Sequence, residues 1–301
     1  MYDQVAQNKR RSLAVTAIFV LFTAAVVAVV LYLFDFGIVG VVIAAVVAVG
    51  SAGLSWWKSD AVALRMARAV PADPQEHARL HNLVEGLCIA SGLPKPRIYV
   101  IDDIAPNAFA TGRNPQHAAI AVTTGLLGIM DRVELEGILA HELSHVKNMD
   151  ILVNTIAVTM VGLIALISDW FIRLMWWNGG RRGRGDQEGG AAPILAIFGL
   201  ALLVLAPLIA RLLQFAVGRH RESLADMSAI EMTRFPPGLI SALEKLRDDT
   251  TVVAGSSRAT AHLWIEAPVA RVEPEGRLSR WNRLFDTHPP IEERIAALRE
   301  L

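Results

Sequence analysis

Residues Leu13 to Phe34 carry no charged side chain, and after Asp35 the run from Phe36 to Leu54 carries none either. A hydrocarbon core of about 30 Å is crossed by roughly 17 to 25 helical residues. Each run is long enough. Ile151 to Ile167 is a third such stretch, and Ala191 to Leu213, which contains Pro207 and is apolar apart from Arg211 near its end, is a fourth. A cleaved leader does not account for the first run, because it is too long for an h-region and a second apolar run follows at once. Asp35 and Gly37 fit a tight turn between two crossings, and Trp56, Trp57 and Lys58 fit an interfacial anchor. The expected fold is a mainly α membrane protein with four transmembrane helices.

Orientation follows from the basic residues. Lys9, Arg10 and Arg11 precede the first run and place the N-terminus in the cytoplasm. Two crossings then return the chain there by residue 59. A second pair, over 151–213, leaves residues 150 and 214 on one side. The Gly-rich loop at 178–190, with Arg181, Arg182 and Arg184, then falls on the outer side, against the usual bias of basic loops. The basic start is taken to prevail. Four segments result: a tail and two crossings over 1–58, a polar part over 59–150, a hairpin over 151–213, and a second polar part over 214–301.

Composition sets outer limits. A formal net charge of +0 gives no reason to expect nucleic acid. A single cysteine, Cys88, excludes an intrachain disulfide and a cysteine-based zinc site. Any metal must use histidine and carboxylate ligands.

The polar part offers such ligands. His141-Glu142-Leu143-Ser144-His145 reads H-E-x-x-H. Residues four apart sit on one face of a helix, so both imidazoles can grip one ion. Glu142 lies about 100° round the helix from His141, within reach of a water on that ion. Two imidazoles beside a carboxylate base form the core of a zinc peptidase, with one Zn2+ per chain. Asp131 and Glu134 form a capping box at the start of this helix. Leu135, Leu139, Leu143 and Val146 form its buried stripe, with the histidines on a face left open. His77 and His81 are also four apart, but no Glu follows His77, and they read as ordinary helix residues. Elsewhere, Arg97 to Ile101 and His117 to Thr123 read as strands and Ala105 to Asn114 as a loop. An extended substrate is expected to pair with the strand His117–Thr123.

A zinc peptidase site has three protein ligands and an open fourth position. Glu222 is the choice for the third, with His220 its rival. Asp226, four residues on, shares the face of Glu222 and suits an acceptor for the far N–H of a ligand imidazole. Asp150 is a candidate for the same task or for a helix end.

These residues resemble peptidase family M48, in its membrane-bound HtpX type. His141–His145 and R-E-S-L-A-D at 221–226 carry the likeness, together with N-A-F-A-T-G at 107–112 and T-H-P-P-I-E-E-R-I at 287–295. Gly218 departs from the Ser common in the family, and 249–280 matches nothing in it. The resemblance implies a zincin-like α+β domain on the cytoplasmic side of a multi-pass protein of the cell inner membrane. It implies His141, His145 and Glu222 as zinc ligands, Glu142 as general base, Asn107 and Ala108 as substrate-binding, and His288 as an aid to the oxyanion. Membrane or misfolded proteins are the implied substrates, in a stress response. Oligomeric state is left open. The charges around the motif, from Asp131 to Asp150, are too many to bury in lipid and place the site above the bilayer.

Overall fold

The computed structural model describes residues 37–152, 219–251, 264–265 and 290–301 with a few scattered positions, apart from the side chains at 51, 52, 54, 55, 59, 219 and 220. Scattered positions of the first apolar run are described; the third lies outside these residues but for Ile151 and Leu152, and the fourth lies outside them, as do His288 and the side chain of His220.

Helix α1 (Gly37–Met66) contains the second apolar run from Gly37 on and continues through residue 58 without a break. Its two halves differ. In the first, Ile38, Val39, Val42, Val46 and Val49 are more than half exposed, while Ala63 and Leu64 near its end are buried. Over the described side chains no helix is long and apolar enough to cross a membrane.

The end of α1 lies on a four-stranded mixed sheet. Its strands are β1 (Val70–Pro71), β2 (Arg97–Ile101), β3 (Ala108–Gly112) and β4 (Ala118–Thr123), in the order β1-β2-β4-β3. β2 runs parallel to β4, with Ile98 opposite Ile120, and β3 runs antiparallel to it, with Phe109 opposite Ala121. Alternate residues of a strand face opposite sides, and here both sides are covered. Ile98, Val100, Ala108, Ala110, Ile120 and Val122 join the larger core. Ile101, Phe109, Ala119 and Ala121 join a smaller one with Ala63, Leu64 and Trp264. Two sequence expectations are corrected here. The stretch read as a loop over 105–114 contains β3. The strand expected to receive substrate, β4, is interior and pairs on both sides with its own sheet.

Five helices complete the described core: α2 (Ala78–Ser91), α4 (Arg132–Lys147), α5 (Arg219–Thr233), α6 (Pro236–Asp248) and α7 (Ile291–Arg299). A short helix α3 (Thr124–Ile129), capped by Thr123, separates β4 from α4. The elements expected from the sequence did not include it.

Helix α4 carries the motif. The Asp131 side chain accepts from the Val133 and Glu134 N–H groups, and Glu134 accepts from the Asp131 N–H, closing the expected capping box. The Glu134 carboxylate is also held by Lys245 at 2.6 Å and Ser241 at 2.7 Å, which joins α4 to α6. The helices meet backbone to backbone at Gly137, where an added Cβ would lie 2.9 Å from Leu239 Cα. The expected stripe of Leu135, Leu139, Leu143 and Val146 is fully buried. The opposite face is not open, as the sequence suggested: His141 is 0% and His145 7% exposed. Helices α5 and α7 cover it. Helix α4 ends at Lys147, before the third apolar run, and Met149 takes a left-handed φ of 62°. A non-glycine residue pays roughly 1–2 kcal/mol for that conformation, and the turn it makes brings Asp150 back onto His145.

Candidate metal centre

The helical spacing of His141 and His145 sets their rings side by side. Their Nε2 atoms are 3.2 Å apart, with the ring planes at 88°. Helix α5 supplies the third group. Glu222 Oε2 is 3.5 Å from His141 Nε2, and Oε1 is 3.6 Å from His145 Nε2. Among the described residues, His141, His145 and Glu222 form the cluster able to hold a metal ion, with ligand atoms all within 4.8 Å of one another. Small residues permit the close approach of α4 and α5: Ala225 and Ala229 are buried, and Ser144 Oγ donates across to the Ala225 carbonyl at 3.1 Å.

The tautomers follow from the neighbours. Asp226 Oδ1 lies 2.9 Å from His141 Nδ1, and Asp150 Oδ2 lies 3.1 Å from His145 Nδ1. A carboxylate only accepts, and Asp226 is nearer to His141 Nδ1 than is Arg294 Nη2 at 3.3 Å, so each Nδ1 carries its hydrogen and, in the neutral imidazole, each Nε2 presents a lone pair. Two lone pairs and a carboxylate oxygen then face a common point.

That arrangement suits a divalent ion on two counts. Tetrahedral zinc with Zn–N bonds of 2.0–2.1 Å separates its ligands by about 3.3 Å, close to the observed 3.2 to 3.6 Å. The charges agree as well. Four buried carboxylates (Glu142, Glu222, Asp226 and Asp150) surround the point, with two buried guanidiniums, Arg221 and Arg294. With neutral imidazoles, two negative charges are in excess. The same demand for a cation shows in His141: burial and Arg294 push its pKa down, yet Asp226 and Glu222 outweigh them and lift it to about 9. Burial alone would raise the Asp226 carboxyl, but Arg294 and His141 hold it at about 2.

The two guanidiniums were not singled out in the sequence. Arg294 sits within the apolar stripe Ile291, Ile295 and Leu298 of α7 and is 3% exposed. Its Nε and Nη2 donate to Asp226 Oδ2 and Oδ1 at 2.9 and 2.6 Å. Arg221 Nε donates to Asp150 Oδ1 at 2.7 Å, with a second contact from Nη2 to the same oxygen. A charge inside an otherwise apolar helical stripe was the available signal for Arg294.

The remaining expected residues lie at the head of β3. The Asn107 N–H donates to Thr123 Oγ1 at 2.9 Å, and its side-chain oxygen accepts from the Ala108 N–H at 3.0 Å. The Ala108 carbonyl accepts from the Ile265 N–H at 3.0 Å. Trp264, beside it, packs edge-on against Phe109 with ring centroids 4.9 Å apart. His81 Nε2 lies 3.1 Å from the Ala72 carbonyl, and neither His81 nor His77 belongs to a metal cluster among the described residues. The Cys88 thiol is pushed up to about 11 by burial.

A helical H-E-x-x-H and a glutamate from a second helix, set against a small mixed sheet, define a metallopeptidase. The chain belongs to peptidase family M48, whose model matches residues 74–301. It is similar to the Protease HtpX homolog of Thermoanaerobacter pseudethanolicus, at 42% identity over 301 residues, covering 100% of this chain and 98% of that one. It is also similar to the Protease HtpX homolog of Limosilactobacillus fermentum, at 42% identity over 304 residues with 100% of both chains covered. Among solved structures, S. mikatae Ste24p aligns with a TM-score of 0.48 and 16% identity, over 99% of this chain and 67% of that one.

Proposed function

We propose that this metalloprotease is a membrane-anchored zinc endopeptidase acting at the cytoplasmic face on membrane or misfolded proteins. His141, His145 and Glu222 hold one zinc ion. Asp226 and Asp150 orient the two imidazoles. The observation that carries this reading is the convergence of two Nε2 atoms and one carboxylate at ligand spacing, inside a cluster with two excess negative charges.

An ion held by His141, His145 and Glu222 would supply Lewis acidity to a water and to the scissile carbonyl. Glu142, adjacent to His141 and 2% exposed, takes the water's proton and passes it to the leaving amine. The burial of the cluster strengthens each of these electrostatic interactions by excluding solvent. Asn107 and Ala108 hold substrate in this reading, and His288 assists the oxyanion.

Four apolar runs and the exposed valine-rich half of α1 support anchorage in lipid by four crossings. The catalytic domain is then assembled from 59–150 and 214–301, on either side of a membrane hairpin. The charges flanking the motif support a site above the bilayer.

The test is casein cleavage by detergent-solubilised full-length protein, with zinc content measured in parallel. Chelation should abolish cleavage and added zinc restore it. Glu142→Gln should keep the zinc and lose cleavage. Undiminished cleavage by the chelated protein or by this variant would refute the reading.

A further inference from the structure

Behind each ligand histidine stands a buried aspartate, and behind each aspartate a buried arginine. The chains are His141–Asp226–Arg294 and His145–Asp150–Arg221. The side chains of both arginines are less than a tenth exposed, as are those of both aspartates. Burying a guanidinium carries a large desolvation penalty before pairing. An aspartate alone would satisfy an imidazole N–H, so the arginines need a reason of their own.

Geometry supplies one. A carboxylate that holds one imidazole by one oxygen remains able to turn about its terminal torsion. A guanidinium removes that freedom: two N–H groups on the two oxygens define the plane of the carboxylate, and two N–H groups on one oxygen fix that oxygen while the imidazole holds the other. Arg294 grips both oxygens of Asp226, one of which also meets His141 Nδ1. Arg221 places both contacts on Asp150 Oδ1 and leaves Oδ2 for His145 Nδ1. The direction of each Nε2 lone pair is thereby tied to a distant element: that of His141 to the last helix, 153 residues along the chain, and that of His145 to the start of α5. Asp150 immediately precedes the third apolar run and Arg221 follows the fourth, 71 residues later. The pair closes the base of that long excursion at the centre itself.

We infer that Arg221 and Arg294 are positioning residues of the metal centre, each locking one ligand imidazole through its aspartate. The inference rests on the reading of His141, His145 and Glu222 as ligands. It makes a prediction opposite to simple electrostatics. Removing a positive charge beside a cation site should by charge alone tighten metal binding, whereas loss of positioning should weaken it.

The experiment uses full-length protein in detergent with Arg221→Met, Arg294→Met and the corresponding Lys variants. Zinc affinity is measured by competition with a chromophoric chelator, the visible spectrum is recorded after cobalt substitution, and unfolding is followed on chelator-treated protein. Each Met variant should bind zinc more weakly by about 10-fold, the lower end of the range for groups such as Asp226 and Asp150 that touch a ligand imidazole directly, with an altered cobalt spectrum. Arg221→Met added to Asp150→Asn should weaken binding no further than Asp150→Asn alone. Where a Met variant does not fold, its Lys counterpart, which keeps the charge but loses the fork, should show the same weakening. Unchanged or tighter affinity with an unaltered spectrum would overturn the inference, even if unfolding temperature fell. If Glu222→Ala and His145→Ala bound zinc as tightly as the parent, the ligand reading itself would fail. If they lost zinc while the arginine variants did not, only the positioning role would fail.

Discussion

The two faces of α4 are equally buried and are covered in opposite ways. Leu135, Leu139, Leu143 and Val146 meet other apolar side chains. His141 and His145 meet carboxylates backed by guanidiniums. One face is held by packed volume and tolerates changes of detail. The other is held by paired charges, and each member is left exposed to a large penalty when its partner is removed. Burial alone therefore does not tell core from site; the chemistry of the covering layer does.

The comparison can be broken from either side. The largest effect belongs to Glu222→Ala, which should abolish stoichiometric zinc in elemental analysis; retained zinc would remove Glu222 from the ligand set. Glu142→Gln should keep zinc and lower the cleavage rate by about 100-fold or more, in line with the loss of a general base. On the apolar face, Leu139→Ala should destabilise by about 2–5 kcal/mol, read by thermal unfolding, while the folded fraction binds zinc as before. If zinc affinity fell as well, the two faces would not be separable. Gly137→Ala should cost about 1–3 kcal/mol, because its methyl would strike the α6 backbone at Leu239. This should appear in unfolding, whereas a change at a more open glycine such as Gly128 should not.

The smallest effect concerns pH. Burial alone would raise the Glu134 carboxyl, but Lys245 and Ser241 outweigh it and hold its pKa below the ordinary 4.5. A carboxylate depressed on folding adds stability that is full above its unfolded value and is lost as pH falls through the folded one. Glu134→Gln should therefore lower stability near neutrality by about 1 kcal/mol and flatten its fall below pH 4.5. An unchanged acid profile would show that the α4–α6 contact does not depend on this charge.

Some of this was legible without coordinates. The capping box Asp131/Glu134, the stripe of α4 and the one-turn spacing of the two histidines are all local and follow from helix geometry. The contact of Asp226 with the His141 imidazole was legible for the same reason, since Asp226 shares a helix face with Glu222. The errors lay elsewhere. The stretch 105–114 lacked a clear alternation because β3 is buried on both faces, so a strand looked like a loop. β4 was taken as the open strand because nothing in its residues says which neighbours flank it.

Residue spacing by itself determined that two imidazoles and a glutamate share one helix, and that long apolar runs surround them, because such relations extend over a single turn or a single segment. Tertiary structure decided what closes over that helix. Arg221 reaches Asp150 across 71 residues and Arg294 reaches Asp226 across 68. No local period encodes pairs so far apart. They form only when the helices pack, and the cost of leaving any one charge buried alone makes those particular partners necessary.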